Sequence, residues 1–216
     1  MAFSDWIKNP DWIPVVLFEI NYGHRVDGAG WTAAGNCWWI AHPEGKPSKV
    51  ESNGILLTER GTQLLCNNNP FSWYWDPAGN LYINISGDPG SGNYIILAYL
   101  WEYLTSRQFV APDEIVFNNR WYLPYLDDTS LPDVESAIGN LLEGAGQQQF
   151  NSIDIINDGY WDSRLPHYIY EGKEAFYKLG AKGAPYADYI NIATLKTGGI
   201  DWTNIRIKID LLDQRN

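Results

Sequence analysis

Metal ligands and thiols are scarce in this chain: its 216 residues include 3 His, 2 Cys and 1 Met. His24, His42 and His167 each stand beside a loop signal, and no HExxH or paired CxxC spacing accompanies them. That leaves no spaced ligand set, so no metal is expected. Cys37 and Cys66 do not make a secreted disulfide framework; they read as small buried apolar residues, and whether they pair stays open. No apolar run reaches the ~18 residues of a membrane span. The opening Met1-Ala2-Phe3-Ser4-Asp5 lacks the basic start of a signal peptide, so synthesis in a cytoplasm without membrane insertion is expected. Basic runs are missing as well. With 15 Lys+Arg against 26 Asp+Glu the net charge is −11, and the nearest approach to a basic cluster is Arg206-Ile207-Lys208. Direct nucleic-acid binding, which needs clustered cations to neutralise phosphates, is not expected.

Catalytic and cofactor motifs are equally thin. There is no GxGxxG, no GxxxxGK[ST] and no GxSxG. Asp154-Ile155-Ile156-Asn157-Asp158-Gly159 begins like a calcium loop but fails at Ile156 and at Leu165, where a glutamate is needed, and reads better as a strand ending in an Asp-Gly turn. Glu102, flanked by Trp101 and Tyr103, has surroundings that would raise a carboxyl pKa, yet no second acid has a comparable setting for glycoside hydrolysis. Neither a catalytic residue nor a cofactor is expected.

What the chain has is aromatic surface: 11 Trp, 14 Tyr and 7 Phe. Such side chains dominate both cores and interfaces, and 45% hydrophobic with 19% charged residues is a globular balance. Strand-length apolar runs recur at Val15–Ile20, Asn36–Ala41, Ile55–Glu59 continuing through Gln63–Cys66, Ala175–Leu179, Tyr189–Ala193 and Ile205–Leu211. The last alternates strictly, as a half-buried strand does. Trp73-Tyr74-Trp75 and Leu81–Ile85 flank Asp76-Pro77-Ala78-Gly79-Asn80, a hairpin signal with turn chemistry throughout. A second hairpin pattern joins Ile115–Phe117 to Trp121–Leu123 across Asn118-Asn119-Arg120. Tyr94–Leu104 is either a bent strand or a buried helix, its composition favouring strand. Ser4–Lys8 reads as a helical turn closed by Asn9-Pro10, and Asp133–Glu143 carries apolar residues at helical spacing. The expected fold is all-β, mainly antiparallel and sandwich- or barrel-like, with one or two short helices. The linker at Asp127–Pro132 divides it into an N-terminal β subdomain (1–128) and a C-terminal one (129–216) with its helix at about 133–143.

Three stretches bear a family resemblance. They are Trp6–Pro10 with Val16–Ile20; Ser72–Pro77 with Gly79–Ile83, Gly87-Asp88-Pro89 and Tyr99–Tyr103; and Leu131–Glu135 with Ser152–Ser163, Tyr168–Lys173 and Leu179-Gly180. Together they resemble the N-terminal region of tail-tip (baseplate) proteins of long-tailed bacteriophages, where a strand ending in Asn-x-Asp-Gly leads to an aromatic-Asp step and a y-i-y-E-G segment. The resemblance implies a structural virion component made in the host bacterial cytoplasm. Its partners would be other tail and baseplate proteins, in a homo-oligomeric ring around the tail axis. Relatives that continue into further domains contrast with an end at Asn216, which favours a compact assembly part over a receptor-binding or enzymatic one. Acidic charge would suit a place near a DNA channel. Interface residues are expected among Trp121, Tyr125, Trp161, Tyr168 and Tyr170. The alternative is a carbohydrate-binding, host-receptor-recognising module that stacks sugar on Trp73, Tyr74 and Trp75.

Overall fold

A computed structural model describes residues 11, 13–26, 28–42, 44–106, 116–117, 120–131 and 151–213. In chain order the first elements are β1 (Pro14–Arg25), β2 (Thr32–Ala34), β3 (Cys37–Ala41), β4 (Lys49–Ser52), β5 (Ile55–Leu56), β6 (Thr58–Glu59), helix α1 (Gln63–Asn68), β7 (Ser72–Asp76), β8 (Asn80–Asn84) and β9 (Ile96–Ser106). They are followed by β10 (Val116–Phe117), β11 (Arg120–Trp121), β12 (Leu123–Leu126), β13 (Ser152–Ile156), β14 (Tyr168–Ile169), β15 (Glu174–Ala181), β16 (Ile190–Trp202) and β17 (Arg206–Asp213). The described residues are thus mostly β-sheet, in two large mixed sheets and one two-stranded pair, β10–β11, with a single short α-helix. β9 pairs with β12 and β6 with β7 in parallel, while the ladders β1–β15, β15–β16, β16–β17, β13–β17 and β7–β8 are antiparallel.

The chain divides into two compact units: Met1–Asn21, Glu102–Pro166 and Tyr170–Asn216 form the first, Tyr22–Trp101 and His167–Ile169 the second. The division does not fall near residue 128. β12 and β13, on either side of that linker, pair with each other through Leu126 and Ile155, and β1 and β9 each supply residues to both units. The expected helix at 133–143 and the turn at Ser4–Lys8 lie outside the described residues.

In the first unit the strand order is β1-β15-β16-β17-β13-β12-β9, and β1 pairs with β9 in addition. β1 is an almost unbroken buried run, Val15, Val16, Leu17, Phe18 and Ile20, as expected of a strand covered on both faces. β17 keeps the alternation read from sequence: Ile207, Ile209 and Leu211 are buried while Arg206, Lys208 and Asp210 are exposed. Gly180 is required by packing, because a Cβ there would sit 2.4 Å from the ring of Tyr189, a residue of the core cluster with Val15, Leu17 and Tyr122.

A carboxylate lies inside this core. Glu19 is 3% exposed. Its Oε1 accepts from Tyr122 Oη at 2.5 Å, Tyr186 Oη at 2.7 Å and Lys178 Nζ at 2.8 Å, and Lys178 also donates to Tyr186 Oη. Burial and the neighbouring carboxylate push the Tyr122 hydroxyl well above the usual phenol range, which keeps it a donor.

In the second unit the five-stranded sheet runs β2-β3-β8-β7-β6. The β7–β8 hairpin pairs Asp76 with Asn80 at its turn, as the sequence predicts, and the ambiguous Tyr94–Leu104 segment is strand β9. Gln63–Cys66, where the apolar pattern of the preceding run continues, lies in helix α1. Leu64 and Leu65 point outward, so the segment has no apolar face to reveal it. Side-chain clasps hold it instead: Thr62 Oγ1 accepts from Leu65 N at 3.2 Å, Asn84 Nδ2 donates to Cys66 O at 2.7 Å, and Asn67 Oδ1 accepts from Cys37 N at 3.0 Å. Cys37 and Cys66 are free and buried, with their sulfurs 3.0 Å apart; burial raises both thiol pKa values, which favours the protonated thiols.

Breaking a buried ion pair by removing one partner typically costs ~3–5 kcal/mol, because the other charge stays desolvated. Lys178→Met is therefore expected to lower unfolding free energy by about 3 kcal/mol at neutral pH, measured by urea denaturation.

Candidate functional site

Among the aromatic residues singled out from sequence, the structure separates core from surface. Trp161 is 1% exposed and Tyr170 is also buried, both inside the first unit. They are unavailable to a partner, because the Asn157–Trp161 turn folds the indole inward. Tyr125 is half-buried, stacked on Tyr160 with ring centroids 5.5 Å apart and edge-on to Trp161 at 6.3 Å. Tyr168, in the second unit, is half-buried and stacks on Tyr22 at 4.6 Å. The side chain of Trp121 lies outside the described residues.

The proposed sugar-stacking trio divides by strand alternation. Trp73 is 1% exposed and shares its face with buried Leu81 and Ile83, so it is core. Trp75 is on that same face, with its ring edge-on to His42 at 6.1 Å. Tyr74 points to the opposite face. There the register places Trp39 opposite Tyr82 and Tyr82 opposite Tyr74, a row of three half-buried rings with centroids 6.3 and 5.8 Å apart. Asn80 and Asp76 follow two residues on, joined by an Asn80 Nδ2 to Asp76 Oδ2 bond of 3.2 Å. Sequence reasoning missed Trp39 and Tyr82 because only strand pairing brings them beside Tyr74.

The Asn157-Asp158-Gly159 turn has a mechanical role in the first unit. Gly159 takes φ +96°, open to glycine without strain. Asn157, buried ahead of it, accepts from Gly159 N at 3.1 Å and donates to Asp162 Oδ1 at 2.8 Å and to Thr203 O at 3.1 Å. Its own N–H reaches Ile205 O at 3.0 Å. This turn thereby grips the loop between β16 and β17. At the end of β16 Trp202 is 59% exposed, and on the loop Ile205 is 77% exposed. Behind them Arg206 bonds Asp154 and lies 3.6 Å from Asp127. In the second unit another apolar group stands outward: Leu64 and Leu65 of α1 and Phe71. Phe71 has φ +55°, strained for a bulky residue, and is held by its backbone bonds to Asn84 and Thr58.

Two ionisable groupings remain. Glu102 is buried in the first unit, bonded by Tyr160 Oη at 3.2 Å and 3.6 Å from Arg164, whose guanidinium covers the Tyr160 ring at 4.2 Å. Burial raises its pKa to about 6 against the lowering pull of Arg164 and Tyr160. Among the described residues, a phenol bonds it and a guanidinium stands beside it. In the second unit, His24, His42 and Glu44 converge, their nearest ligand atoms all within 4.8 Å of one another. The sequence gave no sign of this, since 17 positions separate the two histidines on the chain and only the fold of β1 beside the end of β3 joins them. Burial holds the His42 pKa below its usual value.

A carboxyl whose folded pKa exceeds its unfolded value is favoured protonated, so its contribution to stability is present below pH ~4.5 and lost as pH rises toward 6. Glu102→Gln should stabilise the chain by up to about 2 kcal/mol at pH 7 and give no gain below pH ~4.5, read from denaturation midpoints across pH. No family model, curated protein or solved structure matches the chain, so the chemistry of these sites is read from their own residues.

Proposed function

We propose that this chain is a structural component that works through its surfaces, a part of the tail tip or baseplate of a long-tailed bacteriophage. The observation that carries the reading is the β16–β17 loop. Trp202, the last residue of β16, and Ile205 of the loop stand in solvent there, and the Asn157-Asp158-Gly159 turn bonds the loop at Thr203 and Ile205. A held loop with a bare indole is what an interface anchor needs, since ordering costs nothing further on binding and Trp dominates interface energetics. The segments that resemble tail-tip proteins are the same ones that form this grip. Under this reading the chain is made in a bacterial cytoplasm, joins other tail proteins, and forms a ring with copies of itself. It assigns the chain no catalytic step and no direct contact with nucleic acid. A barrel-like first unit belongs to the same reading, supported by the extra β1–β9 pairing. No described helix is long and apolar enough to cross a membrane.

The purified chain should associate with itself in a concentration-dependent way in sedimentation velocity, with rings in negative-stain images. Trp202→Ser combined with Ile205→Ser should weaken association at least tenfold, about 1.4 kcal/mol or more, with unchanged far-UV circular dichroism. A wild-type chain that stays monomeric, or that associates unchanged after both substitutions, would remove this reading.

The second reading, a carbohydrate-binding module, is favoured by the Trp39–Tyr82–Tyr74 row with Asn80 and Asp76 alongside. Rings in a row stack on sugar faces, and flanking amides and carboxylates bond hydroxyls. A glycan array should then show binding that Tyr74→Ala reduces at least tenfold; an array with no signal counts against it.

A further inference from the structure

The grouping of His24, His42 and Glu44 in the second unit differs from an ordinary hydrogen-bonded histidine pair. His24 ends the β1 run, while His42 and Glu44 follow β3. His42 is 1% exposed, and its Nδ1 lies 3.0 Å from Gly45 O. A carbonyl only accepts, so Nδ1 carries the proton and Nε2 turns its lone pair inward. A backbone carbonyl on the far nitrogen is also the usual device that orients a metal-binding imidazole. Inward of it, His42 Nε2 is 3.1 Å from His24 Nδ1 and 3.9 Å from Glu44 Oε2, and His24 Nδ1 is 3.7 Å from the same oxygen.

Those separations suit ligands around one ion. With bonds of about 2.0–2.1 Å, the corners of a tetrahedron lie roughly 3.3–3.4 Å apart. A hydrogen bond between the rings accounts for the 3.1 Å edge alone. It leaves Glu44 Oε2 shielded from solvent with no hydrogen-bond partner, a costly position for a carboxylate oxygen. An ion pair with a charged imidazole would close to about 2.7–2.9 Å, shorter than either Glu44 distance.

We propose that His24, His42 and Glu44 bind one divalent transition-metal ion of the zinc class. Two imidazoles and a carboxylate are a borderline ligand set that favours such ions over Mg²⁺. His24 and Glu44 are each partly open to solvent, so a water or a ligand oxygen completes the coordination. Tyr168 edge-on to His24 at 5.1 Å and Trp75 edge-on to His42 at 6.1 Å wall the rest of the site with aromatic surface. The ion ties the end of β1 to the chain after β3. It also gives the second unit a Lewis-acidic position that the surface-only reading of the protein does not include.

The test is titration of tag-free, chelator-stripped protein with ZnCl2, NiCl2 and MgCl2 by calorimetry and thermal unfolding. Zinc should bind at one equivalent and raise Tm by roughly 5–10 °C at a hundredfold excess over Kd, with no effect of magnesium. Cobalt(II) should give the intense visible bands of a four-coordinate centre. His24→Ala and Glu44→Gln, at partly exposed positions, should each weaken zinc binding at least tenfold while keeping the wild-type circular dichroism. His167→Ala, the third histidine of the chain, should leave binding unchanged. Absence of a one-equivalent isotherm, or binding that survives His24→Ala or is lost with His167→Ala, overturns the proposal.

Discussion

Glu19 is placed on β1 between Phe18 and Ile20, in the most completely buried strand of the first unit, and its carboxylate is tolerated only because three donors converge on one oxygen. Lys178 reaches it from β15, Tyr186 from the turn after that strand, and Tyr122 from the segment before β12. The requirement runs through the topology. β1 must pair with β15 in the register that sets Glu19 opposite Phe176 and Leu17 opposite Lys178. A one-residue slip would turn Glu19 to the other face and strand the charge away from its donors. The core cluster around Tyr122 and Tyr189 is built on that register, as is the close approach of Tyr189 to Gly180.

The surface of the first unit follows from a second arrangement of polar bonds. Asn157 spends its backbone and side chain on its own turn and on the β16–β17 loop, and Thr197 bonds Tyr170 and Lys173 carbonyls where Gly172 turns at φ +71°. Both segments, Asn157–Gly159 and Tyr170–Lys173, are therefore turn devices. They contribute shape, and the exposed apolar side chains next door are Trp202 and Ile205. This explains why Trp161 and Tyr170, the aromatic residues at those turns, are in the core instead of on a contact surface.

The second unit distributes its aromatics by strand alternation. One face of β7 and β8 gives Trp73, Leu81 and Ile83 to the core, and the other aligns Tyr74 and Tyr82 with Trp39. In this sheet tryptophan serves both faces: Trp73 packs into the core, and Trp39 joins the half-buried row. The histidine and carboxylate grouping sits on the same side as Trp75, with His42 buried against that ring and His24 and Glu44 partly open to solvent.

Local pattern by itself determined the strands: the alternation of Ile205–Leu211, the Asp76–Asn80 turn and the buried run of β1 are legible because strand period, turn chemistry and continuous hydrophobicity act between near neighbours. It also marked Glu102 as a carboxyl in an apolar setting, which the raised pKa matches. Helix α1 was illegible, since caps and asparagine clasps hold it while its leucines face outward. The division into units, the Trp39–Tyr82–Tyr74 row, the Glu19 network and the meeting of His24 with His42 and Glu44 were decided only by tertiary structure. Each depends on which strands pair and in what register, and that choice is set by burial over the whole sheet, not by any short stretch of chain.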